Sequence, residues 1–184
     1  MPPSPDDYVE LRVRSAFSFL EGASNPEDLV EQAARCGHRA LALGDRDGVS
    51  GLPRFHQASR AAGLRPIFGA EVTLEDGERL RLLVESPTGW QNLCQLLTRG
   101  QAGRPKGEAA VADIALEEHA AGLTALVHGD ARLTPAHLDR SLGIFGRART
   151  WVDVCRSFER QGEAALRRAA AIAERAGVGV LATG

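Results

Sequence analysis

Alternation of apolar and polar positions opens the chain: over residues 8 to 13, Val9, Leu11 and Val13 share one face and predict a first strand. The period then changes. Ser24 and Glu27 have capping-box spacing with Pro26 inside the first turn, and Leu29, Val30, Ala33 and Ala34 continue a helix that Gly37 closes. Residues 40 to 43 read as a short second strand. A helix follows over 53 to 62, ending at Gly63, and then a third strand over 67 to 74. Asp76 and Gly77 mark a turn, so 80 to 84 pairs back as a hairpin.

Trp90, Leu93, Cys94, Leu96 and Leu97 have the spacing of an amphipathic helix, with Thr88 as its cap and Gly100 at its end. Residues 101 to 107, rich in glycine and basic residues and broken by Pro105, predict a mobile surface loop. Beyond it the pattern predicts helices over 114 to 120, 135 to 142 and 162 to 176. Strands at 123 to 127, 150 to 154 and 178 to 182 alternate with them. Alternating strands and helices require a mostly parallel sheet, open or curled into a barrel, because the crossover helices must cover its strands. The fold class is therefore α/β.

The chain has 184 residues, 43% hydrophobic and 25% charged, enough for one well-buried core, so residues 1 to 184 are expected to form a single domain. A formal charge of -2 argues against a surface that binds polyanions as a whole, and any nucleic-acid contact must be local. Among the 22 basic residues Lys106 is the only lysine, which reflects a compositional bias toward arginine. Cys36, Cys94 and Cys155 are odd in number and unpaired in spacing, as expected of thiols in a reducing compartment. No signal segment and no run near the ~20 apolar residues of a membrane span is visible. A cytoplasmic protein with no membrane partner is the expectation.

In sheets of this kind, polar sites collect at the carboxyl edge. Arg12 and Arg14 end the first strand, Asp45, Arg46 and Asp47 follow the second, and Glu71 interrupts an otherwise apolar third. Either these groups converge or they are ordinary solvated loop residues; spacing alone leaves both open. His38, His56, His119, His128 and His137 are scattered, and only His128, just past a strand, falls near that edge.

The segments ELRVRSAFSFLEGASNPEDLVEQA, RALALGDRDGVSG and GLRPIFGAEVTLEDGERLRLLVE resemble, in order and spacing, the opening of bacterial polymerase III alpha subunits. SAFSFLEGAS and TGWQNLCQLLTRG are closer to the error-prone ImuC-type branch, and the similarity runs in weaker form to GVGVLATG. The resemblance implies a PHP (polymerase and histidinol phosphatase) domain, a distorted seven-stranded (β/α) barrel, here incomplete at the C-terminus. Members with an intact site hold up to three metal ions on histidines and carboxylates.

This chain departs from that pattern. Arg12 and Arg14 stand where the resemblance implies two histidines, Arg46 where it implies another after Asp45, and Glu21 where an aspartate is common; Glu71 matches. Guanidinium offers no lone pair to a metal. The expectation is a degenerate metal-site pocket of Arg12, Arg14, Glu21, Asp45, Arg46, Glu71 and His128. In it the three arginines pair with Asp45 and Glu71, no residue is catalytic and no cofactor is bound. The alternative is a zinc or manganese phosphoesterase or proofreading 3'-5' exonuclease. As partners the resemblance implies the polymerase domains of the same parent chain and, through it, DNA. Accessory mutagenesis proteins and the sliding clamp are further expected partners, and the loop 101 to 107 is a candidate contact for protein or DNA.

Overall fold

The computed structural model describes residues 8 to 105, 107 to 156 and 162 to 184. Its seven strands are β1 (Glu10–Val13), β2 (Ala40–Arg46), β3 (Arg65–Thr73), β4 (Arg79–Val84), β5 (Leu123–His128), β6 (Thr150–Val154) and β7 (Gly179–Ala182). They lie side by side in chain order in one sheet. β4 runs antiparallel to both neighbours and all other pairs are parallel. The β3–β4 hairpin turns at Asp76 and Gly77, where a φ of 81° suits glycine.

Six helices connect the strands: α1 (Pro26–Arg35), α2 (Leu52–Ala61), α3 (Pro87–Gln101), α4 (Asp113–His119), α5 (Pro135–Phe145) and α6 (Gly162–Ala176). They pack on the outer face of the curled sheet, over a core that includes Leu41, Leu43, Val72, Leu82, Leu96, Leu116, Val127 and Val152. Among the described residues no helix covers the inner face. Leu11, Ala42, Ile67, Leu83, Leu126, Trp151 and Leu181 cluster there. Because strand residues alternate faces, Glu71, Arg79, Arg81, His128 and Asp153 fall on that inner side too, and together form its polar end. The sheet curls far enough to bring β1 near β6 and β7. The Gly184 amide reaches the Glu10 carboxylate at 2.8 Å, but among the described residues no β1–β7 ladder closes the barrel.

Several boundaries differ from the sequence reading for local reasons. The first capping box is Asn25 with Asp28, one residue later than Ser24 and Glu27, since Pro26 takes the first helical position. Glu27 pairs instead with Arg54 at 2.6 Å. Ser86, not Thr88, caps α3 by accepting from the Gly89 amide. Gly100 does not end that helix but is buried within it, where a Cβ would come 2.8 Å from Val111. β2 extends to Arg46, which makes Asp45 a strand residue. Of the loop predicted over 101 to 107, Gln101 ends α3 and donates to the Asp47 carbonyl at 2.6 Å, while residue 106 lies outside the described residues. No described helix is long and apolar enough to cross a membrane.

Candidate functional site

Glu71 is the hub of the carboxyl edge. Its carboxylate is fully buried and meets four cationic side chains. Arg14 Nη2 donates to both oxygens at 2.6 and 2.5 Å. Arg81 Nη2 reaches Oε2 at 3.1 Å, His128 Nε2 lies 3.0 Å from the same oxygen, and Arg79 Nη1 stands 3.5 Å from Oε1. Burial alone would raise the pKa of Glu71, but the bonds from His128 and Arg14 and the charges of His128 and Arg81 overcome it and hold the carboxyl far below its ordinary range.

His128 bridges two carboxylates. Its Nδ1 lies 3.4 Å from Asp153 Oδ2, long for a hydrogen bond but short for an ion pair. Burial disfavours its charge, yet Asp153 and Glu71 together push its pKa up. A carboxylate oxygen lies near each ring nitrogen, hydrogen-bonded at Nε2 and beyond a good hydrogen bond at Nδ1, and this pair of negative neighbours favours the imidazolium. Asp153 is itself buried, and despite that burial its pKa is lowered by His128, the Thr183 hydroxyl and the charge of Arg12.

A second carboxylate, Glu21, ties the rim. Arg46 Nη1 contacts it at 2.5 Å, Arg79 at 3.0 Å and Arg14 Nη1 at 3.1 Å. Arg12 lies outside this knot, with Nε 3.6 Å from Asp153 as its ion-pair contact. An irregular register in β1, where Glu10 pairs with Leu41 but Val13 with Leu43, is the one-residue bulge that lets Arg12 leave strict alternation.

The expected pairing of arginines with Asp45 does not occur. Asp45 is buried, but it accepts 2.7 Å bonds from the Ser15 amide and from the Ser15 and Ser18 hydroxyls. Its charge therefore shapes the loop after β1. Arg46 turns to Glu21 and Arg12 to Asp153. Asp47 turns away from the pocket and caps the end of β3 through the Thr73 amide and hydroxyl, both at 2.7 Å.

Sequence reading missed Arg79, Arg81, Asp153, Ser15 and Ser18. A signal existed for three of them. Arg79 and Arg81 alternate with leucines on β4, and Asp153 interrupts the apolar strand TWVDV just as Glu71 interrupts β3. Among the described residues, no three His, Cys, Asp or Glu side chains converge as a group able to hold a metal.

The sequence pattern of the PHP domain family matches residues 10–180. An error-prone DNA polymerase of Mycolicibacterium paratuberculosis is 38% identical over an alignment of 200 positions, covering 96% of this chain and 18% of that protein. One from Pseudomonas aeruginosa is 42% identical over 127 residues, covering 67% of this chain and 12% of its own length. The chain thus spans less than a fifth of these relatives. A solved structure from Bifidobacterium adolescentis, of a protein whose name places it among metal-dependent phosphoesterases, superposes with a TM-score of 0.68. It shares 15% identity, with 97% of this chain and 87% of that one covered. The inner-face polar end, the strand order and these matches agree, and the chain belongs to the PHP domain family.

Proposed function

We propose that this chain is the PHP domain of an error-prone DNA polymerase in which fixed cations have taken over the structural work of metal ions. The domain then serves as a non-catalytic scaffold for the polymerase domains of its parent chain. The observation that carries this reading is the saturation of Glu71 by Arg14, Arg81 and His128. A metal ion needs lone pairs, and a guanidinium supplies only donors and a repelling charge. The residues present do not fit a PHP metal cluster, and no hydrolytic step is assigned to them.

The relatives named error-prone DNA polymerases support the wider setting. In that setting the parent would copy damaged DNA in the cytoplasm, with accessory mutagenesis proteins and the sliding clamp as partners. A second reading, a metal-dependent phosphoesterase or proofreading exonuclease, draws on the fold likeness to the Bifidobacterium protein.

Elemental mass spectrometry of protein purified without chelator separates the two readings, together with hydrolysis of a generic phosphodiester in added manganese or zinc. Less than ~0.1 metal per chain, a level far below one bound ion per site, with no hydrolysis supports the scaffold. Stoichiometric metal with turnover would establish the phosphoesterase.

A further inference from the structure

The outer helical layer is incomplete where β3 returns directly into β4. A hairpin supplies no crossover helix, so α2 packs against α1, α3 packs against α4, and among the described residues no helix fills the space between α2 and α3. A groove of about 510 Å³ remains there, floored by Phe68 and Val84 of the sheet and walled by Pro53 and His56 of α2 and Trp90 of α3. Its lining is mostly apolar, and the one carboxylate in it, Glu85, accepts from the Thr124 hydroxyl. A cleft of this size lies within the ~300–1,000 Å³ usual for binding sites.

Beside the groove stands a convex counterpart. The loop from Ser15 to Gly22 carries Phe17, Phe19 and Leu20, and Phe19 and Leu20 are 75% and 89% exposed. Phe17 lies against Gly51, the residue before Leu52 and Pro53 of the groove wall, with the Arg54 guanidinium 5.9 Å from its ring centre. Loop and groove are therefore neighbours on one side of the molecule.

The loop is firmly held for a segment so apolar and exposed. The Ala16 amide donates to the Ser24 carbonyl at 2.8 Å, the Gly22 amide donates to the Ser18 carbonyl at 2.9 Å, and Asp45 fastens Ser15 and Ser18 from beneath. Glu21, next to the tip, is tied by Arg46 and Arg79. Leu20 itself sits at a φ of 64°, a conformation unfavourable for leucine that persists only where the surroundings impose it. An apolar tip fixed in this way loses little conformational freedom on docking. Large apolar side chains kept in water beside an apolar groove mark a contact surface.

We propose that this face is an interface between two copies of the chain, each seating Phe19 and Leu20 in the groove of the other. A two-fold axis requires a self-complementary surface, and a convex apolar tip next to a concave apolar groove is one. The area points to reciprocity as well. A specific interface buries at least ~1,200 Å² in all. One tip, at ~150–250 Å² for an aromatic side chain, does not reach that, whereas two seated tips with Phe17, Pro53 and Trp90 from both copies approach it. Neither Phe19, Leu20 nor the groove belongs to the Glu71 cluster, so pairing does not depend on metal.

Sedimentation velocity of the chain from about 1 to 300 µM tests this, read together with tryptophan emission. Association with a midpoint on the order of 10–100 µM is expected, as suits an interface at the lower size limit. Trp90 should shift to longer wavelength on dilution, while Trp151 stays on the inner face. Leu20→Asp and Pro53→Glu should each raise the midpoint about tenfold or more, because each leaves a charge in an apolar contact. Neither disturbs the fold: aspartate tolerates the left-handed region better than leucine, and glutamate is favourable in the first turn of a helix. Arg167→Gln, on the exposed face of α6, should leave the midpoint unchanged.

Concentration-dependent dimers lost in both tip and groove variants support the interface. A monomer at every concentration, dimers indifferent to either Leu20→Asp or Pro53→Glu, or dissociation without a change in tryptophan emission overturns it.

Discussion

Glu71 and Arg81 lie directly opposite each other on β3 and β4, both wholly buried, with Arg81 Nη2 3.1 Å from Glu71 Oε2. The second terminal nitrogen of Arg81 donates to the Leu11 carbonyl at 3.1 Å, so one side chain joins β4 to both β3 and β1. Burial lowers the pKa of Arg81, and the charge and hydrogen bond of Glu71 act against that shift.

Removing one partner should therefore be severe. Glu71→Ala leaves Arg81 buried without its anion and is expected to cost about 3–5 kcal/mol in urea denaturation. The double variant Glu71→Gln with Arg81→Met, which removes both charges, is expected to recover at least half of that loss. Additive losses would mean the pair is not coupled.

Asp45→Ala tests a different connection. No arginine is stranded; the loop after β1 loses three hydrogen bonds to a charged acceptor, a change of about 3 kcal/mol or more. Proteolysis and hydrogen exchange should locate the loosening at residues 15 to 22, where Leu20 is held at a φ of 64°. A uniform rise in exchange across the sheet would count against this.

Stability should depend on pH through His128. Its folded pKa is raised, so its contribution is complete below the ordinary imidazole value of about 6.5 and is lost as pH rises through the folded value. Glu71 works in the opposite sense: its folded pKa is depressed, and its contribution is present above about 4.5 and lost as pH falls. The stability advantage of wild type over His128→Gln, followed by urea midpoints from pH 5 to pH 9, should shrink toward the alkaline end. A constant gap would show that His128 acts through packing alone.

Gly89 of α3 rests on Gly122, so closely that an added Cβ would lie 1.8 Å from the Gly122 carbonyl oxygen. Gly89→Ala must push the helix off the turn before β5 and is expected to cost about 1–3 kcal/mol, within the range of overpacked cores. Gly63→Ala meets no neighbour, and its cost is limited to a backbone held at a φ of 70°. A smaller loss at Gly89 than at Gly63 would contradict the close approach.

Much of this protein was legible in its sequence because periodicity is a local property. Apolar positions at Leu11 and Val13, helix faces such as Leu93, Leu96 and Leu97, and the Asp76–Gly77 turn sufficed for the α/β class and nearly every element, although the bulge in β1 sends Leu11 to the inner face and Val13 to the outer one instead of leaving them on a shared face. The resemblance to PHP domains placed Arg12, Arg14, Arg46 and Glu71 at the carboxyl edge, where they lie. Which charge meets which was not local. Arg14 joins Glu71 across 57 positions, and Asp153 enters from a strand that the sequence marked only by one interruption. The bulge in β1 and the Ser15 and Ser18 bonds to Asp45 redirected two of the three expected pairings. The sequence determined the strands, most of their faces and the arginines that stand at the ends of β1 and β2. Only the curling of the sheet, which carries side chains from β1, β3, β4, β5 and β6 to one end of its inner face, decided how their charges are partnered.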